Sequence, residues 1–379
     1  MAGRPHIAAV LEDAVFARVE SLLRRIGWRE RVLGYTGYGT PGHARVLARV
    51  LLTRPGPEES EQAEDAGGAA ADATAPEAEL EDAETTQRGW RAFLTAPAAD
   101  APLRVELGSA SMEVTTDRGG FVDVVVTGHG LEPGWHRARL TTGDGATVGA
   151  AVWIIDPSVG TGVVSDIDDT VMITHLPRPL IAGWNTFVRS EHAREAVPGM
   201  AALYRALLSE RDGMPIFYLS TGAWNTAPTL TRFLRRHDYP VGPLLLTDWG
   251  PTNTGWFRSG QEHKKAELHR LLEDLPGMRW ILVGDDGQHD PGIYGEFSEQ
   301  HPDAIEAVAI RQLTPAQQVL SHGLPVATDE LLGKRHGGVP MLRAPDGFTL
   351  HQLLHHARRT TRRLRGHRTG GGRQEVERA

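Results

Sequence analysis

The strongest constraint on the fold is a regular alternation of short apolar segments and amphipathic segments in the second half of the chain. Each apolar run is short enough to be a buried strand, and helical periodicity follows most of them. The predicted strands cover 163–165, 216–219, 244–246, 280–283 and 307–310, and the predicted helices cover 199–210, 226–237 and 263–273. This alternation predicts an α/β fold with a parallel sheet and helices on both faces. In such sheets ligands bind beyond the carboxyl ends of the strands.

The first part of the chain has a different pattern of apolar residues, which predicts a small all-β sandwich-like domain. Short alternating or β-branched runs are separated by turn signals at 119–120, 132–134 and 143–145. The predicted strands cover 44–52, 103–107, 111–114, 121–126, 136–140 and 148–155. The glycine-rich stretch 35–42 predicts a turn before them. Apolar residues at helical spacing predict an N-terminal helix over 7–26.

The net charge of -8 conceals two strongly charged segments. Residues 55–87 contain 11 acidic residues and neither Lys nor Arg, whereas 355–379 contain 8 Arg and 2 Glu, which leaves -3 for the rest. The acidic segment predicts a disordered loop, because it cannot bury enough apolar surface to offset chain entropy. The basic end predicts a helix over 349–365 followed by a disordered tail. That tail is either simply solvated, attracted to anionic lipid headgroups, or in contact with the acidic loop.

Composition excludes several functional classes. The chain has no cysteine, so it has no disulfide, thiolate zinc site or cysteine nucleophile. No apolar run approaches the ~20 residues of a membrane-spanning helix, and the first residues lack the apolar core of a signal peptide. We therefore expect a cytoplasmic protein whose only contact with a membrane is peripheral, through the basic tail. No specific nucleic-acid partner is expected, although the tail could bind nucleic acid non-specifically.

Acidic side chains crowd together directly after the first strand of the predicted sheet, at Asp166, Asp168 and Asp169. Acids this close repel one another unless a cation neutralises them. Oxygen ligands alone favour a hard ion, above all Mg²⁺. A lone Asp-x-Asp is more often an acidic turn in solvent. This one lies between a buried strand and the apolar pair 171–172, which favours a functional site.

Polar residues that suit phosphate binding follow the second and third strands. Ser220 and Thr221 could hold a phosphate oxygen through hydroxyl and backbone N–H groups, although both are also ordinary helix caps. Lys264 and Lys265 stand out because the chain has 37 arginines and only three lysines. A compact ammonium group can neutralise an aspartate and a phosphate together. The alternative for these lysines is an exposed helix start.

A second acidic segment, which contains Asp285 and Asp290, follows the fourth strand. Glycines at 284 and 287 permit tight turns, and the acids could complete a metal shell. Each of these features is weak alone, but their order along the chain is a strong signal. It resembles the four-motif pattern of the haloacid dehalogenase superfamily of phosphotransferases.

The residues that flank these motifs indicate one particular family within this superfamily. They cover 165–170, 198–204, 220–225, 248–250, 257–260, 263–264 and 284–294. Over 158–313 the chain resembles the catalytic domain of the actin patch protein family of phosphatidate phosphatases. Two departures are Gly222-Ala223, where Ser-Pro is expected, and Asp286, where Ser is expected.

The resemblance implies a haloacid dehalogenase-like Rossmannoid domain over 158–326. An N-terminal domain would then cover 1–157, with the helix and the β strands described above. Residues 327–379 would form the C-terminal helix and the basic tail.

The resemblance also implies a role for each acid. Asp166 would be the nucleophile that forms an aspartyl-phosphate. Asp168 would protonate the leaving group and then deprotonate the hydrolytic water. Mg²⁺ would be held by Asp166, by Asp168 through its backbone carbonyl, and by Asp285. Asp290 would orient Lys264 or a metal-bound water.

The resemblance implies that Ser220 and Lys264 bind the transferring phosphoryl group and offset its developing charge. Thr221 is assigned with Ser220 to substrate binding. Arg258, in the segment 257–260, is a further candidate for contact with the phosphate or the substrate.

The function implied is that of a Mg²⁺-dependent phosphatase that converts phosphatidate, a phospholipid, to diacylglycerol and phosphate. One alternative is a related phosphatase for a soluble sugar, nucleotide or protein phosphate. Another is a non-catalytic lipid or protein adaptor that uses the β domain and the basic tail. The adaptor has no need of Asp166 and Asp168 and is therefore disfavoured.

Overall fold

The computed structural model describes residues 18–54, 95–173, 195–247, 260–287, 289–314 and 335–370, with side chains described as far as residue 359. These residues form two compact units. The first contains the described residues up to 157 together with 222–231 and 246–247, and the second contains the others from 158 onward. Residues 18–25 are helical, which agrees with the end of the helix predicted over 7–26. The acidic stretch 55–87 lies outside the described residues.

The first unit is built on one eight-stranded sheet. Its strands are β1 (Arg29–Thr40), β2 (His43–Thr53), β3 (Thr95–Pro97), β4 (Pro102–Leu107), β5 (Ala110–Thr115), β6 (Phe121–Thr127), β7 (Gly134–Thr142) and β8 (Thr147–Ile154). Their order is β3-β2-β1-β8-β7-β4-β5, and β6 pairs with β2. Buried residues such as Val50, Leu103 and Leu140 form its core. Every strand predicted here is present, but all belong to one sheet rather than to the two separate sheets of a sandwich.

The stretch 35–42, predicted as a turn, lies within β1 as far as residue 40. Its glycines allow close backbone approach: a Cβ at Gly37 would lie 2.2 Å from the carbonyl oxygen of Arg45, and one at Gly39 would lie 2.2 Å from that of His43. The pairing of β1 with β2 also shifts register in this stretch. Glycine marks bulges and close approaches in strands as well as turns. The turn prediction was therefore wrong for most of this stretch.

The second unit is built on a seven-stranded sheet. Its strands are β9 (Thr161–Asp166), β12 (Ile216–Ala223), β13 (Leu244–Thr247), β14 (Arg279–Asp285), β15 (Ile305–Arg311), β16 (Arg335–His336) and β17 (Val339–Ala344), in the order β13-β12-β9-β14-β15-β17-β16. The pairs β12–β9, β9–β14, β14–β15 and β15–β17 are parallel, and β16 is antiparallel to β17. The short strands β10 (Met172–Ile173) and β11 (Glu195–Ala196) pair with each other.

Helices connect the strands of this sheet, so the mixed α/β prediction is confirmed. They are α1 (Met200–Leu208), α2 (Ala227–Arg236), α3 (Gly260–Asp274), α4 (Asp290–Gln300) and α5 (Gly347–Gly370). The sequence did not predict α4, β16 or β17. Glycines at 292 and 295 weaken the helical signal of α4, and Pro340 weakens the strand signal of β17.

β9 lies in the middle of the sheet, and all six of its residues are buried. Parallel strands flank it on both sides, so its carboxyl end is next to the carboxyl ends of β12 and β14. Asp166 pairs in register with Leu219, directly before Ser220. The neighbouring β14 ends at Asp285. The topology alone therefore brings the predicted strand-end residues together.

α5 is longer than the helix predicted over 349–365 and packs against α1, β15 and β17. It includes residues 366–370 of the segment predicted as a disordered tail, whereas 371–379 lie outside the described residues. Among the helices of the described part, none has both the length and the apolar character needed to cross a bilayer.

The core of the first unit can be tested at two neighbouring valines of β6. Val126 is 2% exposed and Val125 is 50% exposed. We expect Val126→Ala to lower the free energy of unfolding by about 2 kcal/mol, because it removes two buried methyl groups and leaves a cavity. The matched change Val125→Ala should cost less than about 0.5 kcal/mol. Urea unfolding followed by circular dichroism measures both changes. An equal loss of unfolding free energy in the two variants would contradict the inward orientation of Val126 and the outward orientation of Val125.

Candidate functional site

The end of β9 and the turn that follows it hold the first two acids of the site. Asp166 is 1% exposed and Asp168 is 6% exposed. The amide groups of Val171 and Met172 both donate to the carbonyl oxygen of Ile167, which closes the turn. These short-range bonds keep the two acids at the end of the central strand.

The ammonium group of Lys264 connects two of the buried acids. Its Nζ donates to Oδ1 of Asp166 and to Oδ1 of Asp290, at 2.6 Å in each case. All three side chains are at most 3% exposed. Lys264 lies in α3, Asp166 ends β9 and Asp290 begins α4. The lysine singled out by sequence thus lies between two of the predicted acids.

Three carboxylates form a group that could hold a metal ion. One oxygen from each of Asp166, Asp285 and Asp290 lies within 4.8 Å of the others. The Oδ2 atoms of all three are buried and have no hydrogen-bond partner among the described residues. Buried carboxylate oxygens without partners are costly unless a cation or a proton compensates them. An all-oxygen set of this kind suits a hard divalent ion such as Mg²⁺.

Burial and mutual repulsion alter the ionisation of these acids. Burial, followed by the nearby charges of Asp290 and Asp168, raises the pKa of Asp166 to about 8, although Lys264 acts in the opposite direction. Burial also raises the pKa of Asp285 well above its usual value. The two carboxylates that contact Lys264 raise its pKa despite burial, so the lysine stays charged. A cation bound to the acids would favour their ionised forms.

The predicted phosphate-binding residues lie at the adjacent strand end. Ser220 is 1% exposed, and its hydroxyl donates to Oδ2 of Asp168 at 3.1 Å. Thr221 is half-buried and packs against the start of α3, where a Cβ at Gly260 would lie 2.7 Å from its methyl carbon. The carboxylate of Asp168 lies outside the metal-binding group. Arg258, predicted to contact substrate, lies outside the described residues.

Sequence reasoning did not single out Arg311. This residue ends β15, is 4% exposed, and donates from Nη1 to the carbonyl oxygen of Asp169 at 2.5 Å. Asp169 has a left-handed φ of 57°, which aspartate tolerates better than most residues. Arg311 thus supports the turn that carries Asp168. The predicted strand 307–310 stopped one residue short of it, because an arginine at a buried strand end gives no hydrophobic signal.

Asp286 is one of the two departures from the expected motif. Its carboxylate accepts hydrogen bonds from other groups of the protein. Its Oδ1 accepts from the backbone amide of Leu313, and its Oδ2 accepts from Nη2 of Arg343, both at 2.7 Å. The side chain of Asp286 is buried and compensated by these two donors. It ties the loop after β14 to β17 and leaves Asp285 as the acid that joins the metal-binding group.

Gly284 leaves the space that Asp290 occupies. A Cβ added at this position would lie 2.4 Å from Oδ2 of Asp290 and 2.8 Å from the ring of Tyr294. Any larger side chain would therefore move Asp290 away from Lys264. The glycine that the sequence suggested for a tight turn in fact serves close packing inside a strand.

Comparison with known sequences agrees with this geometry. Residues 161–312 match the family described as "Phosphatidate phosphatase APP1, catalytic domain". The matched segment begins with β9 and ends just after β15, so it contains every described acid of the group. The family resemblance is confirmed. The predicted assignment to the haloacid dehalogenase superfamily is consistent with this family match.

Two curated relatives match the same part of the chain. The phosphatidate phosphatase APP1 of Saccharomyces cerevisiae is 27% identical over 153 residues, which is 40% of this chain and 26% of the relative. An uncharacterized protein of Schizosaccharomyces pombe is 24% identical over 156 residues, which is 41% of this chain and 25% of the relative. The chain thus spans about a quarter of the length of these relatives.

Among solved structures, a chain of the Pnkp1/Rnl/Hen1 complex aligns with 42% of this chain and 51% of its own length. The identity is 17% and the TM-score is 0.29. A likeness this weak carries no argument about function.

The close packing at Gly284 can be tested against a matched glycine. We expect Gly284→Ala to lower the free energy of unfolding by about 1 to 3 kcal/mol, because the new methyl group displaces Asp290 from Lys264. Gly292, in α4, has no atom within 4 Å of an added Cβ. Gly292→Ala should be neutral or stabilising by up to about 1 kcal/mol, because alanine favours a helix. Urea unfolding compares the two, and similar effects would argue against the crowded geometry.

Proposed function

We propose that this protein is a Mg²⁺-dependent phosphatase that hydrolyses a phosphate monoester, with phosphatidate as the substrate. The observation that carries the proposal is the buried contact of Lys264 with Asp166 and Asp290, beside Asp285, at the carboxyl end of the central strand. The family match over 161–312 supports the reaction class and the phospholipid substrate. The parallel arrangement around β9 supports a haloacid dehalogenase-like domain over 158–326.

Asp166 is the proposed nucleophile. Lys264 holds its Oδ1, while its Oδ2 has no protein partner among the described residues. An oxygen of Asp166 attacks the phosphorus atom, the bond from phosphorus to the leaving oxygen breaks, and an aspartyl-phosphate forms. The charge of Lys264 offsets negative charge that develops on the phosphoryl oxygens.

Asp168 is the proposed general acid and base. Its carboxyl group protonates the leaving alkoxide, which departs as diacylglycerol in the case of phosphatidate. Asp168 then removes a proton from water as the water attacks the phosphorus of the aspartyl-phosphate, and this releases phosphate and restores Asp166. The hydroxyl group of Ser220 donates to Asp168 and so orients it beside the nucleophile.

Asp166, Asp285 and Asp290 are the side chains proposed to surround Mg²⁺, with the backbone carbonyl of Asp168 as a further ligand. When bound, the ion neutralises the carboxylates, so that an anionic nucleophile can meet an anionic phosphate. Ser220, Thr221 and Arg258 remain the proposed contacts of the phosphate ester.

The proposed location is cytoplasmic, with peripheral contact between the basic C-terminal residues and an anionic membrane. Each basic residue near such a surface contributes about 1 kcal/mol of attraction. This contact would bring the enzyme to a substrate that is itself part of the membrane.

The nucleophile is tested by Asp166→Asn. We expect Mg²⁺-dependent phosphate release to fall at least about a thousandfold, because the amide cannot form the aspartyl-phosphate. Phosphate release is measured with phosphatidate in mixed micelles and with soluble sugar and nucleotide monophosphates. Faster phosphate release from phosphatidate supports a lipid substrate. Faster release from a soluble ester would identify that ester as the substrate instead.

Asp286→Asn is the matched control for this experiment. Asp286 is also buried at a strand end, but its oxygens accept from Leu313 and Arg343. This variant should keep most of the wild-type activity, even if its stability falls. Full activity in Asp166→Asn would refute the mechanism.

The metal site is tested by thermal unfolding with Mg²⁺ and after treatment with a chelator. We expect Mg²⁺ to raise the unfolding temperature of the wild-type protein, because ligands that bind only the folded state stabilise it. Asp285→Asn should abolish most of this rise, whereas Asp286→Asn should retain it. An equal rise in all three proteins would place the bound ion elsewhere.

A further inference from the structure

A cavity of 320 Å³ lies in the second unit, at the end of β9 opposite to the candidate site. Residues from the start of β9, from the segment after α1 and from α5 line it, among them Thr161, Glu210, Arg211, His355, Arg358 and Arg359. Thr161 is the first residue of β9 and Asp166 is the last. At about 3.3 Å per residue, the strand between them spans about 16 Å. A small ligand in this cavity therefore cannot reach Asp166.

One wall of the cavity contains a group of ion pairs around the buried side chain of Arg358. Arg358 is 8% exposed, and its guanidinium group donates to Glu306 at 2.6 Å and to Glu210 at 2.7 Å. Glu306 also pairs with Arg279 at 3.7 Å. Within this group two arginines balance two glutamates, so the charges of these four side chains compensate one another.

Two further arginines add uncompensated positive charge to this wall. Arg359 is exposed and has no hydrogen bond or ion pair with any residue in the described ranges. Arg211 donates from Nη1 to the carbonyl oxygen of Val159, which orients the guanidinium group without neutralising it. The imidazole of His355 also lines the cavity. The cavity thus carries an excess of two positive charges, one of them on a guanidinium group that Val159 orients.

We propose that this cavity binds the phosphate group of a small phosphorylated ligand, at a site separate from the candidate active site. Guanidinium groups match the geometry of phosphate oxygens and pair with them through two parallel hydrogen bonds. A phosphate monoester carries about -1.5 to -2 charges near neutral pH, which matches the excess on the wall. The volume is at the lower end of small-ligand sites, about 300 to 1,000 Å³, so it suits a headgroup rather than acyl chains.

The same chemistry could come from two sources, a free phosphorylated metabolite or the headgroup of an anionic phospholipid. Neither source requires turnover at Asp166. The inference therefore stands or falls independently of the proposed phosphatase activity, and binding rather than activity is the measurement that tests it.

The test is a titration of the full chain with inorganic phosphate, with the NMR signal of the His355 ring as a local reporter. We expect the signal to shift and saturate in the wild-type protein. Arg359→Ala should weaken phosphate binding about tenfold or more, because one charge-assisted contact is lost. Arg359→Lys keeps the positive charge but lacks the planar guanidinium group. Its loss of affinity for phosphate should be intermediate.

Arg236→Ala is the matched control, since Arg236 is an exposed arginine at the end of α2 and does not line the cavity. It should bind phosphate as the wild-type protein does. No shift of the His355 signal, or equal affinity in Arg359→Ala and Arg236→Ala, would overturn the proposal.

Sedimentation with vesicles of phosphatidylcholine, with and without phosphatidylglycerol, then separates the two sources. If Arg359→Ala reduces binding to the anionic vesicles more than Arg236→Ala does, the ligand is a lipid headgroup. If phosphate binding is lost while vesicle binding is the same in both variants, the ligand is a soluble phosphorylated molecule.

Discussion

The second unit depends on the buried contacts of Lys264 with Asp166 and Asp290. Taking these charges out of water costs several kcal/mol for each ion unless they are paired in good geometry. The pairing requires β9, α3 and α4 to be in position together, because each supplies one of the three groups. Residues far apart in sequence are therefore held in one arrangement, and the same contacts that order these elements also define the candidate site.

These contacts leave negative charge in excess. Asp285 adds a third carboxylate to a group with one ammonium, and burial with repulsion raises the pKa of both Asp166 and Asp285. The neighbouring Asp286 shows the contrast, because Arg343 and the amide of Leu313 satisfy its oxygens completely. A fold that needed only stability would compensate all its buried acids as it compensates Asp286. The uncompensated oxygens at Asp166, Asp285 and Asp290 support a role for a cation and a phosphate.

Much of the second unit could be predicted from local patterns. The strands at 163–165, 216–219 and 280–283 were found because buried parallel strands are short and continuously apolar. The elements that were missed have weak local signals. The glycines at 37 and 39 are typical of turns, yet they lie in β1 where backbones approach closely, and α4 begins among glycine and proline residues. In these elements tertiary contacts outweigh intrinsic preference.

The sequence by itself determined which residues stand at the strand ends, because hydrophobic periodicity places the strands and the chain order places Asp166, Ser220 and Asp285 after them. It also determined that Lys264 is unusual in an arginine-rich chain. Only the tertiary structure decided which groups contact one another. In the structure Lys264 donates to both Asp166 and Asp290. Arg343 donates to Asp286, and Arg311 donates to the carbonyl oxygen of Asp169. Charge pairing depends on distances of a few ångströms between separate elements, and no local pattern in the sequence carries that information.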